Sequence, residues 1–255
     1  MPIRLYSKSP VHAIGGDTSL DSAFERLQAL GVSSLAVVDE AGRPSGVISR
    51  TDLLRVGLRQ AGVRRDADLL TWPSQSVAEV MVRDVIMASP DDSVAAACGA
   101  MLSHGIHRVY VGDSDQITGV FSTRDAMEAI RDKQLGQSIS ETMSRPLFTI
   151  RANEPISLAT ARLATARVSG RVVVDAEGPG GVFTQVEALS ARALARDTRV
   201  DEVMNAAIVC LPSETRLFRA VQQALAMRVR RIIVSHKRDM IGIVTGMDFA
   251  RATQG

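Results

Sequence analysis

The sequence predicts a mixed α/β (α+β) fold made of four tandem β-α-β-β-α repeats, and three observations carry the prediction. The segments GVISRTD (46 to 52), GVFSTRD (119 to 125), GVFTQVE (181 to 187) and GIVTGMD (242 to 248) share one pattern: Gly, two apolar residues, Ser or Thr, two variable residues, then Asp or Glu. A short, β-branched strip precedes each of them: SSLAVVD (33 to 39), HRVYVGD (107 to 113), GRVVVDA (170 to 176) and RRIIVSH (230 to 236). A polar residue (Asp17, Asp91, Asn153, Ser213) stands 29, 28, 28 and 29 residues before the four glycines. Self-similarity at a fixed period marks a repeat architecture and outranks any local reading.

Within a repeat, each element follows in order. The polar residue opens a helix whose apolar face in the first copy is Leu20, Phe24, Leu27 and Leu30. The β-branched strip reads as a buried strand. The turns DEAGRPSG, GDSDQITG, DAEGPGG and SHKRDMIG fold it back as a hairpin into the Gly-led strand. The second helix begins at the Ser/Thr-x-x-Asp/Glu element, a spacing that also makes a capping box. The glycines are 73, 62 and 61 residues apart, so the first interval carries about a dozen extra residues, within 56 to 76. That stretch is expected to extend the second helix and then form a linker, with Trp72 as an anchoring ring. A unit of about 60 residues is marginal alone, which predicts pairing in chain order. The expected modules are residues 1–130 (repeats 9–57 and 77–130, linker 58–76) and 137–253 (repeats 137–191 and 199–253).

Composition narrows the function. In 255 residues, 45% are hydrophobic and 23% charged, near the globular averages of about 45–50% and 25%. Aromatic content is only 4%, which leaves few rings on which bases or sugars could stack. The net charge of +2 does not call for a polyanionic partner, yet among 30 basic residues only Lys8, Lys133 and Lys237 are Lys. Arginine offers a planar fork suited to phosphate and carboxylate. Cys98 and Cys210 form no metal or disulfide pattern, and His104 with His107 has metal-ligand spacing but no third ligand, so no metal site is expected. The longest uncharged apolar run, 94 to 102, falls short of the roughly 18 residues of a membrane span. A cytoplasmic protein is expected.

The segments VAEVMVRDVIMASPDDSV (77 to 94), HGIHRVYV and GVFSTRD of repeat two resemble a CBS (cystathionine-β-synthase) domain, as do ISETMSRPLFTI and VDEVMNAAIVCLP, which open repeats three and four. Repeat one departs, since SPVHAIGG has no Met-containing lead-in. The chain thus resembles four CBS repeats, hence two Bateman modules, over about residues 9 to 253, similar in arrangement to the γ subunit of AMP-activated protein kinase. The resemblance implies a regulatory module that is not an enzyme and requires no cofactor. It implies an adenosine-containing ligand (AMP, ADP, ATP or S-adenosylmethionine), with Mg when a triphosphate is bound. It further implies a homodimer or disk-like pairing of modules and an unidentified protein partner; no membrane association is expected, and nucleic acid is disfavoured although the arginine surplus leaves it open. A ligand-free dimerisation scaffold is the alternative.

The resemblance also implies site residues. Ser49 with Asp52, Ser122 with Asp125, and Thr245 with Asp248 would hold ribose; Thr184 with Glu187 is the fourth pair, its carboxylate displaced by one methylene. An ionised carboxylate only accepts, with two oxygens, which suits a vicinal diol. Arg50, His107, Arg108, Arg124, Arg230 and Arg231 would hold phosphate, with Arg171 as the counterpart in repeat three. Val85 and Ile86, Leu147 and Phe148, and Ile208 and Val209 would lie against adenine. Met81, Met143 and Met204 are read as packing residues.

Overall fold

The computed structural model describes residues 1–254. Repeat one comprises β1 (Ala13–Gly15), α1 (Leu20–Ala29), β2 (Ser34–Val38), β3 (Pro44–Ser49) and α2 (Arg50–Gln60). Repeat two comprises α3 (Val77–Val80), β4 (Met87–Ala88), α4 (Val94–His104), β5 (Arg108–Gly112), β6 (Ile117–Ser122) and α5 (Thr123–Lys133). Repeat three adds α6 (Ile139–Thr142), β7 (Thr149–Arg151), α7 (Ile156–Ala166), β8 (Gly170–Val174), β9 (Pro179–Thr184) and α8 (Gln185–Ser190). Repeat four holds a short 3₁₀ turn (Val200–Glu202), β10 (Cys210–Pro212), α9 (Leu217–Ala226), β11 (Ile232–His236), β12 (Asp239–Val244) and α10 (Gly246–Ala252).

Each repeat forms its own three-stranded sheet, with the first strand parallel and the third antiparallel to the central one. The hairpin register is the same in all four: Val37, Val111, Val173 and Val234 face Gly46, Gly119, Gly181 and Gly242, and a bulge follows at once. Identical register makes position-by-position comparison legitimate. The polar residues expected to open the first helices lie earlier than the caps, which are Ser19, Ser93, Pro155 and Arg216. Ser19 and Ser93 accept the amides of Ser22 and Ala96, so the cap falls where a hydroxyl can reach the first turn.

The chain divides into two compact units, each of which combines two alternate repeats. One, the even unit, contains Met1–Val11, Val85–Leu147 and the chain from Ala207 onward, hence repeats two and four. The other, the odd unit, contains His12–Asp84 and Phe148–Ala206, hence repeats one and three. In the even unit α5 packs on α9 and α10, and α4 on α10; in the odd unit α2 packs on α8. The cores follow this division. Leu27, Leu53, Phe183 and Leu189 share one buried cluster in the odd unit, while Met127, Ile130, Val221 and Phe249 share another in the even unit.

A crossing segment explains the repeated glycine. Lys8, Val82, Ser144 and Asn205 each form a two-bond bridge with the residue after a Gly (Val120, Val47, Ile243 and Val182), at N···O distances of 2.8–3.1 Å. A Cβ on Gly181 would stand 2.6 Å from the Asn205 carbonyl oxygen, whereas on Gly119 the nearest atom, the Lys8 carbonyl oxygen, is at 3.4 Å. Met81, Met143 and Met204 pack in these crossings, as packing residues should. Repeat one does possess this lead-in, contrary to expectation. Ser7 donates to Ile3 just as Met81, Met143 and Met204 donate to Val77, Ile139 and Val200, so residues 2–8 do the work without a methionine.

The extra residues of repeat one do not lengthen α2, which ends at Gln60. Leu69 and Leu70 are the buried members of that stretch, and to reach their sites the backbone pairs with residues 192–196 (Leu69 N to Leu194 O 2.8 Å, Leu70 N to Arg192 O 3.0 Å, Arg196 N to Ala67 O 3.0 Å). Trp72 is an anchor. Its indole donates to the Leu53 carbonyl at 3.0 Å, its ring meets Phe24 edge-on at 5.4 Å, and the Arg192 guanidinium lies 4.9 Å from its centre.

Candidate functional site

The Ser/Thr-x-x-Asp/Glu element stands at the start of α2, α5, α8 and α10, and forms a capping box in all four. One oxygen of each acid accepts both the backbone N–H and the hydroxyl of the cap. For Asp52, Asp125 and Asp248 these are at 3.0 and 2.6 Å, 2.7 and 2.7 Å, and 2.8 and 2.7 Å. Glu187 reaches Thr184 in the same way, so the longer side chain is absorbed within the box. The structure therefore brings together every predicted ribose pair, and in each the pair is already an N-terminal cap.

Chemical freedom is left to the second oxygen, where the repeats diverge. Asp52 Oδ1 accepts from Arg55 at 2.8 Å. Asp248 Oδ1 accepts from Arg251 at 2.8 Å and from the Ser144 hydroxyl at 2.6 Å. Asp125 Oδ1 faces the Lys8 ammonium at 3.8 Å, and Lys8 in turn holds Glu128 at 3.1 Å. Asp125 is only 2% exposed. Burial raises its pKa above the carboxylate norm, and the Ser122 hydrogen bonds and Lys8 counter that rise. Lys8, Ser144, Arg55 and Arg251 escaped the sequence reading; the arginines were detectable as third residues after an acid on one helix face.

Cations gather in the even unit. His107 and Arg108 lead into β5, Arg230 and Arg231 precede β11 at the equivalent positions, and Arg124 lies in the first turn of α5. Arg230, itself exposed, senses Arg108 and Arg124 as repelling neighbours and Asp125 as an attracting one, and desolvation by the surrounding protein followed by that repulsion lowers its pKa. The side chain of His107 is exposed, and desolvation by the surrounding protein, then Arg108, Arg231 and Arg230, hold its pKa below the usual imidazole range. It is a hydrogen-bonding group beside three guanidinium groups. Its carbonyl accepts the Thr123 N–H at 3.0 Å, which ties it to the start of α5. A Cβ on Gly246 would stand 2.6 Å from the Thr123 hydroxyl oxygen and 3.1 Å from its Cβ, so this glycine makes room for Thr123.

The odd unit lacks this cluster. The positions of His107-Arg108 and Arg230-Arg231 hold Ser33-Ser34 and Ser169-Gly170. Arg50 donates to the Leu27 carbonyl at 3.2 Å, and Thr51, at the position of Arg124, donates to Gln185 at 3.2 Å. Arg171 is buried, donates to the Thr149 and Arg162 carbonyls, and lies 5.3 Å from the Phe148 ring. It is a packing residue rather than a phosphate ligand.

The predicted adenine segments serve the sheets first. The carbonyls of Ile86, Phe148 and Val209 accept from Tyr110, Val172 and Ile233 at 2.9, 3.0 and 2.8 Å. Val209 is 5% exposed and belongs to the core, which removes its side chain from any ligand surface. Val85, Ile86, Leu147 and Ile208 are half-buried, and Phe148 is 37% exposed. Among the described residues, no group of three His, Cys, Asp or Glu could hold a metal, and no helix is long and apolar enough to cross a membrane.

Fold and motif together define the class: tandem three-stranded mixed sheets, each delivering a capped acid to the start of a helix. The chain belongs to the CBS domain family, whose pattern matches residues 4–59, 77–132 and 200–255. Repeat three lies outside the matched stretches yet has the same sheet order. A Methanocaldococcus jannaschii protein described as a candidate archaeal homologue of γ-AMPK superposes on 99% of this chain and 100% of its own, with a TM-score of 0.80 at 15% identity. A conserved Pyrococcus horikoshii protein superposes on 98% of this chain and 99% of its own, with a TM-score of 0.68 at 18% identity. At such identities the likeness is one of fold. The inosine-5′-monophosphate dehydrogenase of M. jannaschii is 26% identical over 160 residues, which are 62% of this chain and 28% of the enzyme. The chain thus spans less than a third of that relative.

Proposed function

We propose that this chain is a regulatory sensor of phosphate-bearing adenosine ligands and that the even unit carries the binding chemistry. The observation that supports this most directly is the gathering of Arg108, Arg230 and Arg231 near His107, with Arg124 and Asp125 as further charges that Arg230 senses. Concentrating guanidinium groups costs repulsion in the empty protein, and an anion relieves it. Arginine forks hold phosphate oxygens in pairs of charge-assisted hydrogen bonds. The same field disfavours the sulfonium of S-adenosylmethionine, so AMP, ADP or ATP is the better match. Asp125 and Asp248 would take the ribose diol through their second oxygens. The chain acts by binding and carries no catalysis of its own, and a protein partner reads the bound state.

Repeats one and three favour a second role. Their acids are capped in the same way, but the equivalent positions carry Ser and Gly in place of His and Arg, which suits a scaffold that completes the fold. Titration calorimetry of the full chain with AMP and with 2′-deoxy-AMP tests the proposal. AMP is expected to bind, and the deoxy form to bind roughly tenfold more weakly because one charge-assisted hydrogen bond is lost. No heat and no thermal shift with AMP, ADP or ATP at millimolar concentration would leave the scaffold reading for all four repeats.

A further inference from the structure

We infer that Lys8 is the specificity-determining cation of the repeat-two site, supplied by the N-terminal segment to favour a phosphate-bearing adenosine over the bare nucleoside; the inference rests on the adenosine reading above. The helix position three residues after the acid shows why this residue stands apart. Repeats one and four place arginine there, and Arg55 and Arg251 bond their aspartates at 2.8 Å. Repeat two places Glu128 there, a second negative charge beside a carboxylate that is 2% exposed. The compensating charge comes from the crossing segment, where position 8 is Lys and the equivalent residues are Val82, Ser144 and Asn205.

Two consequences follow from the geometry. A diol approaching Asp52 or Asp248 must break a charge-assisted bond to Oδ1, whereas at Asp125 the Lys8 ammonium stands 3.8 Å away, beyond hydrogen-bond length. The Lys8 side chain is 58% exposed and bonded to Glu128 at 3.1 Å, so its flexible four-carbon stem can turn the charge toward a ligand. Arg230 also senses Asp125 electrostatically, so cations from two separate segments act on the acid. A ligand anchored by its diol at Asp125 brings any phosphate into that field, and a neutral nucleoside gains only the diol bonds.

The test is calorimetry of AMP and of adenosine with the full-length wild type, Lys8→Met, Lys8→Arg and Lys8→Met/Glu128→Gln. Lys8→Met is expected to weaken AMP roughly tenfold and adenosine less than about threefold, the loss of one charge-assisted contact. Lys8→Arg should keep AMP affinity within about threefold. The double variant should stay as weak for AMP as Lys8→Met. Equal losses for AMP and adenosine, or recovery of AMP binding in the double variant, would overturn the inference by reducing Lys8 to a counter-ion for Glu128. Wild-type protein that binds neither ligand would overturn the adenosine reading itself.

Discussion

The even and odd units are built on one frame and differ in what they place on it. Both have the same sheet order, the same hairpin register and the same capped acid at each helix start. The clearest difference in charge lies at the start of each central strand and in the first turn of each second helix. There the even unit presents His107-Arg108, Arg230-Arg231 and Arg124, and the odd unit presents Ser33-Ser34, Ser169-Gly170 and Thr51. Ser34 is buried, but none of these side chains belongs to the hydrophobic clusters, so the fold tolerates either set. Folding is carried by the glycine, the cap and the strand, and ligand chemistry can be installed or omitted beside them.

Removing two even-unit cations is the strongest way to break this comparison. Arg124→Ala/Arg230→Ala should weaken AMP about 100-fold or more, since each charge-assisted contact is worth about 1.5–3 kcal/mol and about 1.4 kcal/mol is a factor of ten. Arg50→Ala in the odd unit, whose guanidinium holds the Leu27 carbonyl, should change AMP affinity less than about twofold. Calorimetry on both variants measures the contrast. Comparable losses would mean that the odd unit also binds.

Much of the frame was legible in the sequence because it rests on local rules. Four glycines in one pattern, a β-branched strip before each and a capping spacing after each suffice for the repeat, the hairpin and the helix start. What escaped depends on residues distant in the chain. The crossing of Lys8 onto Val120, or of Ser144 onto Ile243, leaves no mark beyond the glycine that permits it. The lead-in of repeat one was missed because Ser7 stands where the others carry Met. The interleaving of repeats into two units was hidden for the same reason: helix-to-helix packing such as α5 on α9 depends on apolar faces that any partner could cover. In the site, the cations were visible as residue types, but that Arg171 turns inward and Val209 lies in the core emerged only with the packing.

The crossing itself offers the next contrast. A methyl at Gly181 in the odd unit would stand 2.6 Å from a backbone oxygen of the crossing segment, which the Val182–Asn205 bridge holds in place. Gly181→Ala is expected to lower unfolding free energy by about 1–3 kcal/mol, the usual cost of overpacking a closed site. A methyl at Gly119 in the even unit would meet its nearest neighbour at 3.4 Å, so Gly119→Ala should stay within about 0.5 kcal/mol. Urea denaturation of the two variants compares them. Similar losses would mean that the glycine serves strand conformation in general rather than the close approach of the crossing.

The smallest contrast concerns the acids, and it separates what serves folding from what serves binding. Asp125 is buried with its pKa raised by that burial, and the Lys8 ammonium that faces its second oxygen is itself largely exposed and therefore worth little to stability. Asn at this position keeps a carbonyl oxygen for the Ser122 N–H and hydroxyl, and carries no charge to desolvate. Asp125→Asn is therefore expected to stabilise the ligand-free protein near neutral pH, by under about 1 kcal/mol. Asp52→Asn, which loses the Arg55 bond at 2.8 Å, should not stabilise it. The sign with pH follows from the raised folded-state value. The stability associated with protonated Asp125 is fully present below the ordinary carboxylate pKa of 3.8 and is lost as pH rises through the folded-state value. The advantage of Asp125→Asn over wild type should accordingly be small near about pH 4 and grow toward about pH 7. A variant less stable than wild type at neutral pH, or an advantage that does not change with pH, would show that the cap needs the full charge. Stabilisation by Asn would instead mean that repeat two keeps its carboxylate at a cost to the fold, as a residue held for a ligand is expected to do.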